Sequence, residues 1–495
     1  MLGGIFIKSK KIIFNFIFLI VFVFFSGCIN VSESNEYNKN DNLNKIEDDK
    51  IKNEELEDEF NFNNSDYYTN YDAILNFDET NSKISVIEKI NYKNITGKKL
   101  NNIYMNICSD FVKEGKIFNI SSLTISGREV VYDIIDNYIY IQLNEPILDN
   151  SESEIIIQFD IILPDINSNI VCSGNILPTI CAYDNYGWNK NTNLDFGKNY
   201  FNSIGNYNIT INTPENYSVI SSGTEVFNIN NDVKTTNIKA KLIKDFAFVI
   251  GKNFFNKSIK NEANNFSINL YYYSENDILA ENILNNINDI FKYYVQNIGN
   301  YPYNHIDVVE CDLDDDTDKQ FTAISLINEK FFTEEMVFNS LSYNLGYQWF
   351  DCVLESNFIK EPWLREAVNG FLKKLIYYTN KDIDFIMEKE YIELKENIKN
   401  IKYSELNNSI DKYDIKYNFD IVQIKKSIMM IYSLYKIMGE EKFFEFLNSY
   451  YTEYSFKFAT SNNFFRSAEK IYGRSLYDFF NDWINSVDIP KINFD

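Results

Sequence analysis

The sequence predicts an α+β chain of more than one domain, an antiparallel β-sandwich followed by a mainly α-helical domain. Three observations lead there. Short runs of period-2 alternation (KISVIEKINY, IYIQLN, EIIIQFDIIL, YNITINT and FAFVIG) fill the chain up to about Phe255, separated by Asn, Gly, Asp and Pro. From Asp277 onward the runs lengthen and take helical spacing, as in ILAENILNNINDIFKYYVQNIG and KKSIMMIYSLYKIMG, the latter ending at Gly439, a natural C-cap. A length of 495 residues with 45% hydrophobic content can fill more than one large core.

Residues 1–28 stand apart as a targeting segment. Lys8, Lys10 and Lys11 precede an apolar run, Ile12 to Phe25, that is too short for a comfortable membrane span. The run ends in Ser26-Gly27-Cys28, which resembles the lipobox of exported lipoproteins and makes Cys28 the candidate lipid anchor; an uncleaved signal anchor is the alternative. Either way the chain is expected on the outer face of the cytoplasmic membrane or at the cell surface, touching the membrane through its N-terminus. Residues 29–66 are Asn- and acid-rich, with twelve acids against four lysines between Val31 and Asp66. Such a stretch cannot bury enough apolar surface to order itself, so it is expected to be a self-repelling tether. The sandwich is then assigned to 67–255 and the helical domain to 256–495.

Charge and cysteines narrow the functions. The balance of 47 Lys+Arg against 71 Asp+Glu gives a net charge of -24, which repels phosphate backbones and excludes nucleic acid as a partner. Five cysteines follow Cys28. Cys172 and Cys181 are close enough to close a small disulfide loop outside the membrane, though spacing alone does not establish the pairing. No CxxC pair occurs, so a cysteine zinc site has little support.

Several segments, in order, carry a more specific likeness. GNILPTICAYDNYGW, NYNITINTPENYSVISSG and KDFAFVIG resemble the N-terminal β-domain of the aminopeptidase N family of zinc peptidases, and GNYPYNHIDVVE resembles the segment entering that family's thermolysin-like catalytic domain. LGYQWFD and WLREAVNGF are similar to its metal-binding helix and the helix after it. IMGEEKFFEFLNSYY and ATSNNFFRSAEKIYGRSLYDFFNDWINSVDIP are similar to its closing helices, so the resemblance spans about Tyr67 to Pro490.

The resemblance implies zinc chemistry that the residues do not repeat. The family pattern is HExxH followed, after eighteen residues, by Glu: two imidazoles and a carboxylate on zinc, with a general-base Glu beside the first His. Set on Gln348-Trp349-Phe350, that pattern places Tyr343 and Tyr347 at the two histidines, Asn344 at the base and Glu366 at the remaining ligand. The chain's one histidine is His305, in YPYNHID. Tyrosine, with a phenol pKa of about 10, is a weak zinc ligand at neutral pH, and an amide accepts no proton. The family's amino-terminus-gripping Glu falls at Thr322, and its transition-state tyrosine at or near Ile424. Tyr343, Tyr347, Asn344, Glu366 and Thr322 therefore form the candidate binding site, with a Tyr–carboxylate–amide cluster expected where the metal would lie and no zinc cofactor expected. CDLDDDTDK sets Asp312, Asp314, Asp316 and Asp318 at alternate positions, like the start of a calcium loop. It lacks the sixth-position Gly and has Ala323 at the twelfth, so a solvated acidic loop is expected instead of a calcium site.

The reading that follows is an exported, anchored relative of zinc aminopeptidases that binds a peptide or protein in its interdomain cleft without cleaving it. The alternative is an active metallo-aminopeptidase with an unorthodox metal site.

Overall fold

The computed structural model describes residues 68–107, 117–163, 170–184, 187–190, 201–261, 266–274, 276–313, 318–378 and 382–494. The targeting segment with Cys28, the tether, Cys108, Asp314 and Asp316 lie outside the described residues. The described residues form one compact unit.

The first half is built of sheets because its apolar residues alternate. In Lys83–Lys93, Ile84, Val86, Ile90 and Tyr92 point into the core while the residues between them reach solvent, Glu88 excepted. This strand pairs antiparallel with Thr69–Asp78 on one side and Glu152–Ile162 on the other, within an eight-stranded sheet. One pairing departs from the antiparallel expectation: Thr69–Asp78 runs parallel to Gly205–Pro214. Its exposed face is a ladder of polar side chains, Asn206 on Asn70 at 3.0 Å, Asn208 on Asp72 at 3.1 Å and Asn212 on Asn76 at 2.8 Å. A parallel pair needs a long crossover, and the chain between supplies a four-stranded sheet around Leu100–Asn106 and Tyr138–Ile147. Ile84, Ile155 and Tyr71 of the large sheet meet Ile103, Ile139 and Ile141 of the small one in a shared core. Cys181 remains a thiol, donating to Asn106 Oδ1 at 2.9 Å, so the disulfide considered between Cys172 and Cys181 is not formed.

The second half opens with a mixed five-stranded sheet rather than directly with helices. Phe255–Asn261, Phe266–Tyr272, His305–Cys311, Ile324–Asn328 and Lys319–Phe321 lie side by side in that order. Helix Asp277–Asn297 is capped by the Asn276 side chain on Leu279 N and buries Ala280, Ile283, Leu284, Ile287, Ile290, Phe291 and Tyr294, a stripe at 3.6-residue spacing, in a core shared with Leu270, Ile306 and Val308 of the sheet. The remaining helices close around the same core. Helix Ser427–Met438 stops at Gly439, whose φ of +77° suits a residue without a side chain, as the sequence indicated.

The two halves are joined by buried polar contacts. Lys244 Nζ sits 2.6 Å from Asp351 Oδ1, Tyr303 Oη donates to the Leu242 carbonyl at 2.8 Å, and Asn357 Nδ2 donates to Asn189 Oδ1 at 2.7 Å.

Candidate functional site

Two helices carry the site. Glu334–Asn344 begins at Thr333, whose side chain accepts from Met336 N, with Glu334 and Glu335 in the first turn where the helix dipole favours them. It passes through Leu345 and Gly346 into a π-helical stretch, Gln348–Val353. Gly346 is required here: a Cβ would stand 2.4 Å from the Tyr294 hydroxyl and 2.5 Å from Asn369 Oδ1. The second helix, Pro362–Tyr377, starts with Pro at its first turn and buries Trp363, Glu366, Ala367, Gly370 and Phe371. The spacing that the sequence indicated is therefore realised, with Glu366 facing Tyr343 and Tyr347.

The hydroxyls of Tyr343 and Tyr347 both donate to Glu366 Oε2, the second at 2.8 Å, and the two rings meet edge to face with centroids 5.0 Å apart. The other carboxylate oxygen, Oε1, lies 3.8 Å from Arg365 Nη1. The Arg365 guanidinium is stacked 4.0 Å from the centre of the Tyr347 ring, and its Nε is 3.5 Å from Asp351 Oδ2. Burial disfavours the Arg365 charge, but Asp351, the two tyrosines and Glu366 outweigh it and keep the group protonated. Burial first and the Glu366 charge second push the Tyr343 phenol well above its ordinary range. The same two causes raise Tyr347, with Arg365 opposing them.

This donor set does not fit zinc. Both phenols are held protonated and spend their protons on the one carboxylate that could be a ligand, while a guanidinium stands where a dication would be repelled. Among the described residues no group of three His, Cys, Asp or Glu side chains could hold a metal ion.

The remaining positions divide. Ile424, in the π-helical stretch Asp420–Lys426, lines the same cavity as Tyr343. Asn344 turns away from Glu366: its amide donates to Ser340 Oγ at 2.7 Å, and the Ser340 hydroxyl bonds Asp318. The expected cluster is thus tyrosine and carboxylate with arginine, the amide serving a separate group. Thr322 is fully buried, its N and Oγ1 both donating to Asp245 Oδ1 at 2.8 and 2.9 Å, so it fastens the halves instead of lining the cleft. Asp318 accepts from Asn328 N at 2.9 Å, a structural use of the acidic loop, and Asp312 is exposed. Arg365 and Asp351 were not singled out from sequence. The signal was available in WLRE, where a cation adjoins the one retained ligand position.

Beside Tyr343 lies a cavity of about 400 Å³ lined by Lys373, Lys374, Tyr377, Glu390, Glu393, Ile424, Lys425 and Ile428 among others.

The fold and the paired helices define an architecture, a β-rich first half followed by a mainly helical second half. Residues 320–483 match the peptidase family M1 domain. An M1 zinc metallopeptidase from Deinococcus radiodurans is similar in structure, with a TM-score of 0.62 at 12% identity over 86% of this chain and 95% of that chain. A mutant of that peptidase bound to a Tyr-Ser-Ala substrate gives a TM-score of 0.60 at the same identity and coverage. A two domain M1 zinc metallopeptidase mutant bound to L-arginine gives 0.62, again at 12% identity, 86% of this chain and 95% of that chain. No curated protein matches the sequence. The M1 domain match is thus confined to residues 320–483, and what most of the chain shares with these structures is their fold.

Proposed function

We propose that this chain is an M1 relative that has given up peptide hydrolysis and binds peptide segments in the cavity beside Tyr343, which lies within the helical half and not between the halves as the sequence reading had it, anchored by its N-terminus outside the cytoplasmic membrane. The observation that carries the reading is the engagement of Glu366 Oε2 by both Tyr343 and Tyr347 hydroxyls. A carboxylate so occupied is a poor metal ligand, and Asn344 supplies no base in place of Glu. A fold by itself does not assign an activity, so the likeness to zinc peptidases weighs on ancestry more than on chemistry. The match to the M1 domain favours the second reading, an active metallo-aminopeptidase with an unorthodox metal site.

One experiment separates the two. The full chain is dialysed against micromolar zinc, its metal content is measured by mass spectrometry, and amino-terminal release from short peptides is assayed with and without a chelator. The expected outcome is substoichiometric zinc, unchanged in Glu366→Ala, and no chelator-sensitive release. Near-stoichiometric zinc that is lost in Glu366→Ala, together with chelator-sensitive release, sinks the proposal in favour of the second reading.

A further inference from the structure

The cavity beside Tyr343 falls within the size range of small-ligand sites and combines an apolar wall with a few charged groups. Ile424, Ile428 and Tyr377 form the wall; three lysines and two glutamates supply the charge. The glutamates are already engaged, Glu390 by Lys374 at 2.6 Å and Glu393 by Lys425 at 2.7 Å. That leaves Lys373. Its ammonium lies 5.6 Å from the centre of the Tyr343 ring and, among the described residues, has no carboxylate within ion-pair distance. The residue is half-buried, and burial together with the neighbouring Lys374 pulls its pKa down, with Glu390 opposing. An anion entering the cavity would relieve both effects. The half-buried Lys373 ammonium is thus offset only by the Tyr343 ring and by a Glu390 charge beyond ion-pair distance, in a chain whose net charge is -24.

We propose that this cavity holds the carboxylate of a peptide, with the Lys373 ammonium on the anion and the Ile424, Ile428 and Tyr377 wall against the adjoining side chain. The inference rests on the peptide-binding reading above and adds its polarity. A cleft that grips an amino terminus needs a free carboxylate. Here Thr322, at the position the family resemblance gives to that carboxylate, is buried on Asp245, and the two cavity glutamates are paired. The carboxylate belongs either to a chain end or to an acidic side chain, and the chemistry at Lys373 is the same for both.

The test is titration calorimetry on the full chain in detergent with three peptides: Ala-Tyr-Ala with a free C-terminus, the same peptide amidated, and amidated Ala-Glu-Ala. At least one carboxylate-bearing form is expected to bind tenfold or more tightly than amidated Ala-Tyr-Ala, and whichever form does so identifies the source of the anion. Lys373→Gln should bring that form down to the level of the amide, Lys373→Arg should keep it, and Lys89→Gln, on an exposed pair with Glu154 in the sandwich, should change nothing. Equal binding of amidated and free Ala-Tyr-Ala with no gain from the Glu peptide overturns the carboxylate inference alone, as does an unaltered Lys373→Gln. Cleavage of any peptide, read by mass spectrometry on the same samples, overturns the reading beneath it. Failure of all three peptides to bind overturns the inference together with the peptide-binding half of that reading.

Discussion

Glu88 faces the sandwich core from a strand whose other inward residues are apolar, opposite Ala73 on one neighbouring strand and Ile157 on the other. It is fully buried, and among the described residues neither carboxyl oxygen has a hydrogen-bond partner. Burial alone pushes its pKa well above the ordinary carboxylate range, since a charge there would have neither water nor a counterion. A folded-state pKa above the unfolded value means that the native protein keeps a proton the unfolded chain has lost. The stability this supplies is complete below about pH 4.3 and is lost as pH rises toward and through the folded pKa, at up to about 1.4 kcal/mol per pH unit. Glu88→Gln should therefore flatten the fall in unfolding free energy above pH 4.3, measured by urea denaturation at a series of pH values. Identical slopes in the two proteins would mean that Glu88 is not neutral in the fold. Alternation in KISVIEKINY was legible in the sequence, but Glu88 was not singled out from it. That its carboxyl finds no partner in the core was not legible, because partners come from strands distant in the chain.

At the scale of elements, the two helices of the site had a readable register. Eighteen residues separate Tyr347 from Glu366, and the folded helices bring them to hydrogen-bond distance. What could not be read was the chain between, where a π-helical stretch turns Asp351 toward Lys244 and Arg365. Nor was it readable that Asn344, next to Tyr343, bonds Ser340 instead of Glu366. A π-helical stretch depends on packing and leaves no periodic mark. The pair of helices yields a stability prediction. Glu366 is buried, so removing one of its hydroxyl donors leaves a carboxylate less satisfied, at about 1.5–3 kcal/mol for a hydrogen bond to a charged group. Tyr347→Phe should lower the unfolding free energy by that amount, and Tyr343→Phe by less, because Tyr343 borders the cavity and its loss admits water to Glu366. The double variant should exceed the sum of the singles, since the carboxylate then has only Arg365. Additive or negligible losses in a double-mutant cycle would show that the tyrosines pack without serving Glu366.

For the molecule as a whole, the change from period-2 to helical spacing indicated the order of a β-rich part followed by a mainly helical one, though the boundary it suggested falls inside strand Phe255–Asn261. The mixed sheet opening the second half was harder to see. Its strands His305–Cys311 and Ile324–Asn328 are buried almost throughout, with Asp307, Glu310 and Ser325 inside beside the apolar residues, so neither shows the alternation of a half-buried strand. The parallel pairing of Thr69–Asp78 with Gly205–Pro214 joins segments too far apart for local pattern to reveal. Equally invisible was the ionic chain holding the halves together. Lys244, 1% exposed in its side chain, reaches Asp351, 4% exposed, and Asp351 continues to Arg365 and so to Glu366. Burying these charges costs desolvation that only their pairing offsets, which makes removal of one member more damaging than removal of a matched pair. Lys244→Met should destabilise by about 3 kcal/mol, the low end for a broken buried pair because Arg365 remains 3.5 Å from Asp351. Lys244→Met combined with Asp351→Leu should cost less than the two single changes added together, as both ends of the contact then become apolar. Chemical denaturation followed by far-ultraviolet circular dichroism and by tryptophan fluorescence measures both the sizes and the cooperativity. Trp349 and Trp363 report the helical half and Trp188 the sandwich, so coincident transitions in the parent and separated ones in Lys244→Met would locate the coupling of the halves at this contact. A Lys244→Met protein as stable and as cooperative as its parent would instead assign that coupling to the apolar interface alone.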